Sequence, residues 1–438
     1  MRSVTGVALL LLSLFWSGNA PAAEPVDAFA LRDGDVVAFL GDSNTQWGRY
    51  PYIIEGYART RYPGRRLSFY NSGVAGDTAI AAYYTRLQRD VLDRSPRPNK
   101  VFIVFGLNDI DWGRAEGEWR KQLEAYFLQG IREIVATCLA NGIQPYVLSY
   151  PTLEKPAPEL LAQDPWLASL AELNEAEDSP LKSLSRQAME ESLQQGAQVV
   201  DIQRSMRELA QGDPVTEVPL RHLRDGVHLN EYGHQLLAYS VLRVLGAPVE
   251  VSSLVLDAQG TVLDQRGTRA EAVEVGADGL AFTKVDEAFP FIQGFQIGAN
   301  PPPDMGSDPM RRLALDRLRI TGLSPGNYEI KAGSYSVSPE GGFTAQALAD
   351  GIDLSHAGYS TYWGGTSWGS RSLQVRLQME SKFANEQARL QAFFTLGNDP
   401  SLGDMLTRLE TQRRAIETTA TELARPVPVR LEIHALHR

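Results

Sequence analysis

The chain has 438 residues, 43% apolar and 22% charged, with one cysteine and 42 Lys and Arg against 53 Asp and Glu, a formal net charge of −11. That length exceeds the roughly 250–300 residues at which a single core stops growing, so two compact units are expected. One cysteine, Cys138, excludes an intramolecular disulfide framework and any Cys-rich metal site, and an acidic chain without basic clusters offers nucleic acid no footprint.

At the start of the chain Arg2 precedes an apolar run from Val4 to Trp16, and Ala20-Pro21-Ala22-Ala23 then supplies small residues. The run is shorter than the roughly 20 residues of a membrane span. It reads as a secretory signal peptide over residues 1–22, cut near Ala22, which predicts a periplasmic or secreted protein with no membrane span after cleavage.

From Asp35 to about Gly246 short apolar runs alternate with amphipathic stretches. Val36-Val37-Ala38-Phe39-Leu40 predicts a first strand, followed by helical spacing from Tyr52 to Arg61. Leu67-Ser68-Phe69-Tyr70 predicts a second strand, with a helix from Ala79 to Leu92 after it. Val101-Phe102-Ile103-Val104-Phe105 is apolar throughout, as suits a strand buried on both faces of a parallel sheet. A helix is predicted from Glu118 to Asn141, stopped by Asn141-Gly142, then strands at Pro145 to Ser149 and Gln198 to Asp201. This alternation predicts a doubly wound α/β domain over residues 24–247, with ligands at the carboxyl ends of the strands.

The texture changes after Gly246-Ala247-Pro248. Residues 249–345 are strand-rich, with a type II turn predicted at Leu323-Ser324-Pro325-Gly326 and an exposed Pro-rich loop at Asn300 to Asp304. Helical spacing returns over 371–423, from Arg371 to Phe394 and Leu402 to Leu423, and Val427 to Ile433 alternates like a last strand. Residues 248–438 are therefore expected to form a smaller α+β unit, which holds no motif that could carry chemistry.

The residues after the strands of the first unit do carry one. Gly41-Asp42-Ser43-Asn44 comes after the first strand, Asn71-Ser72-Gly73-Val74-Ala75-Gly76-Asp77 after the second and Gly106-Leu107-Asn108-Asp109 after the third. Asp225-Gly226-Val227-His228 lies just before the last helix. Each alone also suits a turn or a helix cap. Together, at one rim of one sheet, they match acyl transfer. Ser43 supplies a hydroxyl nucleophile, His228 a base that is neutral near pH 7, and Asp225 an anion to orient that base. The backbone N–H groups of Ser43 and Gly76 and the amide of Asn108 are donors for an oxyanion. His222, three residues to the other side of Asp225, is the competing imidazole.

These four blocks, in order over about Val36 to Leu245, resemble the SGNH hydrolases, the GDSL esterase/lipase family. The resemblance implies a flavodoxin-like three-layer α/β/α domain. It also implies Ser43, His228 and Asp225 as a triad, an oxyanion hole from Ser43, Gly76 and Asn108, and no cofactor. Asn44 stands where many members have an apolar residue, which makes the adjoining pocket more polar. Gly76, the glycine before Asp77, matches the family's donor, leaving Gly73 as a turn glycine. Phe282 to Phe291 and Leu318 to Tyr328, read as strand, turn and strand, resemble tails of large secreted bacterial members.

Asn44, Trp47 and Trp112 flank the blocks and are candidate substrate contacts, and the tail repeats the aromatic and polar mixture from Tyr359 to Trp368. Such a mixture suits a hydroxylated substrate, so deacetylation of a carbohydrate or other small polar ester is expected ahead of lipase or arylesterase action. Two rivals are a phosphoesterase with metal held by Asp42, Asp77, Asn108, Asp109, Asp225 and His228, and a non-catalytic glycan-binding protein.

Overall fold

A computed structural model describes residues 29–151, 153, 158–164, 167, 179–211, 225–293, 309–357 and 365–436. The proposed signal peptide, His222, the Pro-rich loop at 300–304 and residues 359–364 of the aromatic run lie outside the described residues.

Five parallel strands form the first sheet: β1 (Val36–Gly41), β2 (Ser68–Gly73), β3 (Lys100–Val104), β4 (Gln144–Leu148) and β5 (Gln198–Val200). Their order is β2-β1-β3-β4-β5, the flavodoxin-like arrangement in which direction reverses between β1 and β3. All of β1 is buried, and only the first residue of β3 and of β4 escapes burial, which is why these runs read as continuously apolar. The register sets Gly41 beside Gly73 on one side and Val104 on the other. Three strand ends are therefore level, and the loops leaving them emerge together at one rim.

The helices of this unit are α1 (Ser43–Gln46), α2 (Tyr50–Arg61), α3 (Ala79–Thr85), α4 (Gly117–Ala140), α5 (Pro158–Gln163), α6 (Pro180–Gln195), α7 (Ile202–Gln211) and α8 (Glu231–Val244). Local chemistry sets several ends. Ser179 accepts the N–H of Lys182 and Pro180 opens α6, Gly196 at φ +104° closes it, and Asn230 caps α8 through the N–H of Gly233. The helix expected from Ala79 to Leu92 is broken: α3 stops at Thr85, and a π-turn spans Gln88–Leu92.

The C-terminal region builds two further sheets. Its elements are β6 (Glu250–Asp257), β7 (Val262–Arg266), β8 (Thr268–Gly276), β9 (Gly279–Asp286), β10 (Leu315–Thr321), β11 (Asn327–Ala332), β12 (Tyr335–Ser336), β13 (Phe343–Thr344), α9 (Ala345–Asp350), β14 (Ile352–Asp353), α10 (Ser367–Leu396), α11 (Ser401–Leu423) and β15 (Val429–Ala435). One sheet runs β14-β10-β6-β7; the other runs β12-β11-β15-β9-β8 with β13 beside β11. The strands expected on either side of Pro325-Gly326 are present as β10 and β11, but they belong to different sheets and do not pair with each other. Gly326 has φ +158°, far from the roughly +80° of a type II turn, so the segment passes the chain between sheets.

The long helices α10 and α11 pack on each other, and α10 lies along α2 at the β2 edge of the first sheet. Edge strands present unpaired backbone groups. Here α10 meets them with side chains one turn apart: Lys382 Nζ donates to the carbonyl of Phe69 at 2.8 Å, and Glu386 Oε2 accepts the N–H of Asn71 at 2.8 Å. One contiguous apolar core runs from the first sheet into the C-terminal sheets.

Candidate active site

The site grows from the level strand ends. Asp42 caps the short helix α1, accepting the N–H of Asn44 at 2.9 Å, and so places Ser43 at the first helical position. This turn packs tightly against the sheet. A Cβ on Gly41 would lie 2.2 Å from Thr45 Oγ1, and one on Gly73 would lie 2.1 Å from the backbone nitrogen of Gln46. Gly73 is accordingly the last residue of β2 and is required for close approach, a correction to its expected place in a turn.

His228 Nε2 is 2.9 Å from Ser43 Oγ, and its Nδ1 is 2.5 Å from Asp225 Oδ2. The second bond makes Nδ1 the protonated nitrogen and leaves Nε2 to accept the serine proton. Asp225 Oδ1 accepts the N–H groups of Val227 and His228 at 3.0 and 3.1 Å. Partial burial by itself raises this carboxyl; its bonds from His228 and the two backbone N–H groups outweigh that and hold it down at about 2. The second imidazole close to the nucleophile turn, His234, belongs to α8 and stacks on Tyr50 instead.

The donors expected to stabilise an oxyanion converge on the same rim. Gly76 sits in the left-handed region at φ +76° with open space around its Cα, a conformation that favours glycine. Asn108 Nδ2 donates to the carbonyl of Asp77 at 3.1 Å, which ties the third block to the second. Trp112 Nε1 donates to Asn108 Oδ1 at 2.9 Å and thereby fixes which way the amide points. Asp111 and Trp112 both have positive φ, +49° and +57°, an uncommon pair for residues with side chains. Local strain is thus held directly beside a polar group whose orientation matters to the site.

The three candidate substrate contacts part company. Asn44 is 3% exposed and its amide faces inward: Oδ1 accepts the N–H of Leu229 at 3.0 Å, while Nδ2 donates to the Val227 carbonyl at 3.3 Å and Tyr150 Oη at 3.2 Å. It staples the nucleophile turn to the His228 loop, so a substrate contact does not fit its position. Trp112 orients Asn108. Trp47 alone opens to solvent, 51% exposed, with its ring centroid 5.3 Å from that of His228.

Sequence reasoning missed the residues that brace the rim. Arg86 bonds the carboxylate of Asp77 and donates to the carbonyls of Ser72 at 2.6 Å and Gly41 at 2.9 Å, joining the ends of β1 and β2. No motif spacing marks it, since it lies in the break between α3 and the π-turn. Asp109 is buried and accepts the N–H of Ala79 at 2.7 Å. Burial, with the negative charges of Asp42 and Asp77 nearby, pushes its carboxyl up to about 8. Burial likewise raises Asp42, to about 6.

These placements answer the metal alternative. Asp77 is committed to Arg86, Asp109 to Ala79 and Asp225 to His228, and among the described residues no group of three or more His, Cys, Asp or Glu converges as ligands. What remains is a hydroxyl, an imidazole and a carboxylate in sequence beside oriented N–H donors. Residues 39–236 match the GDSL-like Lipase/Acylhydrolase family. This domain belongs to that family. The chain thus carries a GDSL-type acylhydrolase domain with an SGNH-like α/β/α fold, and the protein is a carboxylic ester hydrolase.

No curated protein sequence matches the chain. Among solved structures, a gut microbial diltiazem-metabolizing enzyme is similar at 19% identity, covering 93% of this chain and 100% of its own, with a TM-score of 0.72. That likeness is one of fold, and it extends from the acylhydrolase domain through the C-terminal sheets and helices. Axe2, an acetylxylan esterase from Geobacillus stearothermophilus, is similar at 20% identity over 50% of this chain and 96% of its own, with a TM-score of 0.39. LAE5, an alpha/beta hydrolase enzyme from the metagenome of Lake Arreo, Spain, is similar at 21% identity over 50% and 98%, with a TM-score of 0.38. Among the described residues no helix is long and apolar enough to cross a membrane.

Proposed function

We propose that this acylhydrolase is an exported serine esterase that removes a short acyl group, acetyl foremost, from a carbohydrate or other small polar ester. The observation that carries the serine mechanism is the unbroken relay from Ser43 Oγ through His228 to Asp225. In the first half-reaction Ser43 Oγ attacks the ester carbon as its proton passes to His228 Nε2. Asp225 stabilises the imidazolium, and the N–H groups of Ser43 and Gly76 with the amide of Asn108 take the developing oxyanion. The tetrahedral species collapses as His228 returns that proton to the departing alcohol. Water then repeats the sequence on the acyl-enzyme, releasing the acid and restoring Ser43.

The polar character of the substrate is supported by the entrance, where an exposed indole stands beside amides. Export is supported by the sequence of residues 1–23 and by the buried state of the single thiol, Cys138, whose pKa burial pushes up to about 12. The test is hydrolysis of acetyl esters of sugars against acetyl through decanoyl esters of one small alcohol, with Ser43→Ala as control. Turnover concentrated on acetyl esters and lowered by at least about 10⁴ in Ser43→Ala is the expected result, since removing a triad nucleophile is that costly. Full turnover by Ser43→Ala overturns the mechanism, and a rise in rate with chain length overturns the substrate class in favour of a lipase.

A further inference from the structure

A cavity of about 530 Å³ opens beside the catalytic rim, within the usual range of small-molecule sites. One wall is the acylhydrolase domain, with Gln46, Trp47 and Ala75; the other is α10 of the C-terminal region, with Gln387, Gln391 and Phe394. The two walls are bonded together at the base. Gln387 Nε2 donates to the carbonyl of Gln46 at 2.7 Å, and Gln46 Nε2 donates to Gln387 Oε1 at 3.2 Å. Gln46 Oε1 in turn accepts the N–H of Ala75 at 2.6 Å. Helix α10 therefore holds both the helix that starts at Ser43 and the loop that carries Gly76.

The placement says which part of an ester would enter. The departing alcohol takes its proton from His228 Nε2, so it leaves on the His228 side of Ser43. Trp47 lies against that imidazole and forms the mouth of the groove. The lining says what kind of alcohol fits. Among the described residues none that lines the groove carries a charge, which disfavours an alcohol bearing a phosphate or carboxylate group. Trp47 and Phe394 expose large ring surface, 51% and 67%, amid three glutamine amides. Ring faces for the C–H surface and amides for hydroxyls are the complement of a neutral sugar.

We propose that this groove is the subsite for the alcohol portion of the ester, and that it takes a neutral pyranose or furanose ring. The C-terminal helix α10 then sets specificity for a reaction performed by the other domain. The proposal rests on the serine esterase reading above. Its test compares kcat/KM for an acetylated xylobiose with that for ethyl acetate, which share the acyl group and differ in the alcohol. In Phe394→Ala, and in Ala388→Arg, which puts bulk and charge into the groove from an exposed position on α10, the sugar-to-ethyl ratio is expected to fall about tenfold or more. An unchanged ratio in both variants, or a parallel loss on both esters, overturns the groove while leaving the triad intact. Wild-type enzyme that hydrolyses ethyl acetate and not the sugar ester overturns the substrate class itself, and only loss of the Ser43 dependence touches the mechanism.

Discussion

Beneath the catalytic rim Asp42 and Asp109 are buried with few donors, whereas between the two halves of the molecule Glu55 and Glu417 are buried among three cations. Lys382 Nζ lies 2.7 Å from Glu55 and 2.5 Å from Glu417, Arg59 lies 2.6 Å from Glu55, and Arg413 lies 2.6 Å from Glu417. Burial by itself would raise the Glu417 carboxyl, but the charges of Lys382, Arg59 and Arg413 outweigh it and hold that group down at about 2. At Asp109 no cation does so, and the carboxyl is raised to about 8. What a buried carboxylate does is thus decided by its partners. Glu417 and Asp109 should answer pH with opposite signs. Glu417 contributes stability that is present above the ordinary carboxylate range and lost as pH falls toward 2. Asp109 contributes stability that is present below about 4 and lost as pH rises toward 8.

The largest effect is expected where the compensation is removed. Lys382→Met leaves Glu55 and Glu417 short of a cation and the Phe69 carbonyl without its donor. Breaking a buried ion pair from one side costs about 3–5 kcal/mol, to be read from urea unfolding at pH 7. A cost below about 1 kcal/mol would show that Arg59 and Arg413 suffice and that the contrast between the regions is overstated. The rim should behave differently, losing rate in place of stability. Asn108→Ala is expected to cost about 2.7–4 kcal/mol in kcat with KM nearly constant, because its bond to the oxyanion forms only in the transition state. A rise in KM alone would make Asn108 a brace for the Gly76 loop, acting through its bond to Asp77.

The same division explains what the sequence discloses. In the first domain, strands buried on both faces announce themselves as apolar runs, and each proposed catalytic group sits within a few residues of a strand end or a helix start. The rim is legible for that reason: Ser43, Gly76, Asn108, Asp225 and His228 are all tied to local turns and caps. Arg86 and α10 are not legible. Arg86 reaches the carbonyls of Ser72 and Gly41, 14 and 45 residues away, and Glu386 meets Asn71 across 315 residues. Bonds of that kind leave no periodicity. The helical spacing of 371–423 correctly announces two helices, yet says nothing of where they dock or that Lys382 and Glu386 meet the β2 edge. Asn44 shows the converse error, a polar residue in a motif taken as facing substrate when its amide closes a buried junction.

The finest separation of the two regions is by slope. Asp109→Asn preserves the acceptor for the Ala79 N–H, bonded at 2.7 Å, and removes the titrating proton. In the wild-type protein, between the ordinary Asp range near 4 and the folded value near 8, the unfolded chain is ionised at this position and the folded chain is protonated. Folding then takes up a proton, so unfolding free energy falls as pH rises through that window, by less than about 1.4 kcal/mol per pH unit, the limit for one full proton. The variant should lose that part of the slope, so the difference in stability between the two proteins should drift steadily toward the variant from pH 5 to pH 8 and level off above. Glu417 cannot produce this drift, because its window lies below pH 5 and is common to both proteins. A constant difference across pH 5–8 would mean that Asp109 is already ionised in the folded state, and that the floor of the site is compensated as the helix dock is.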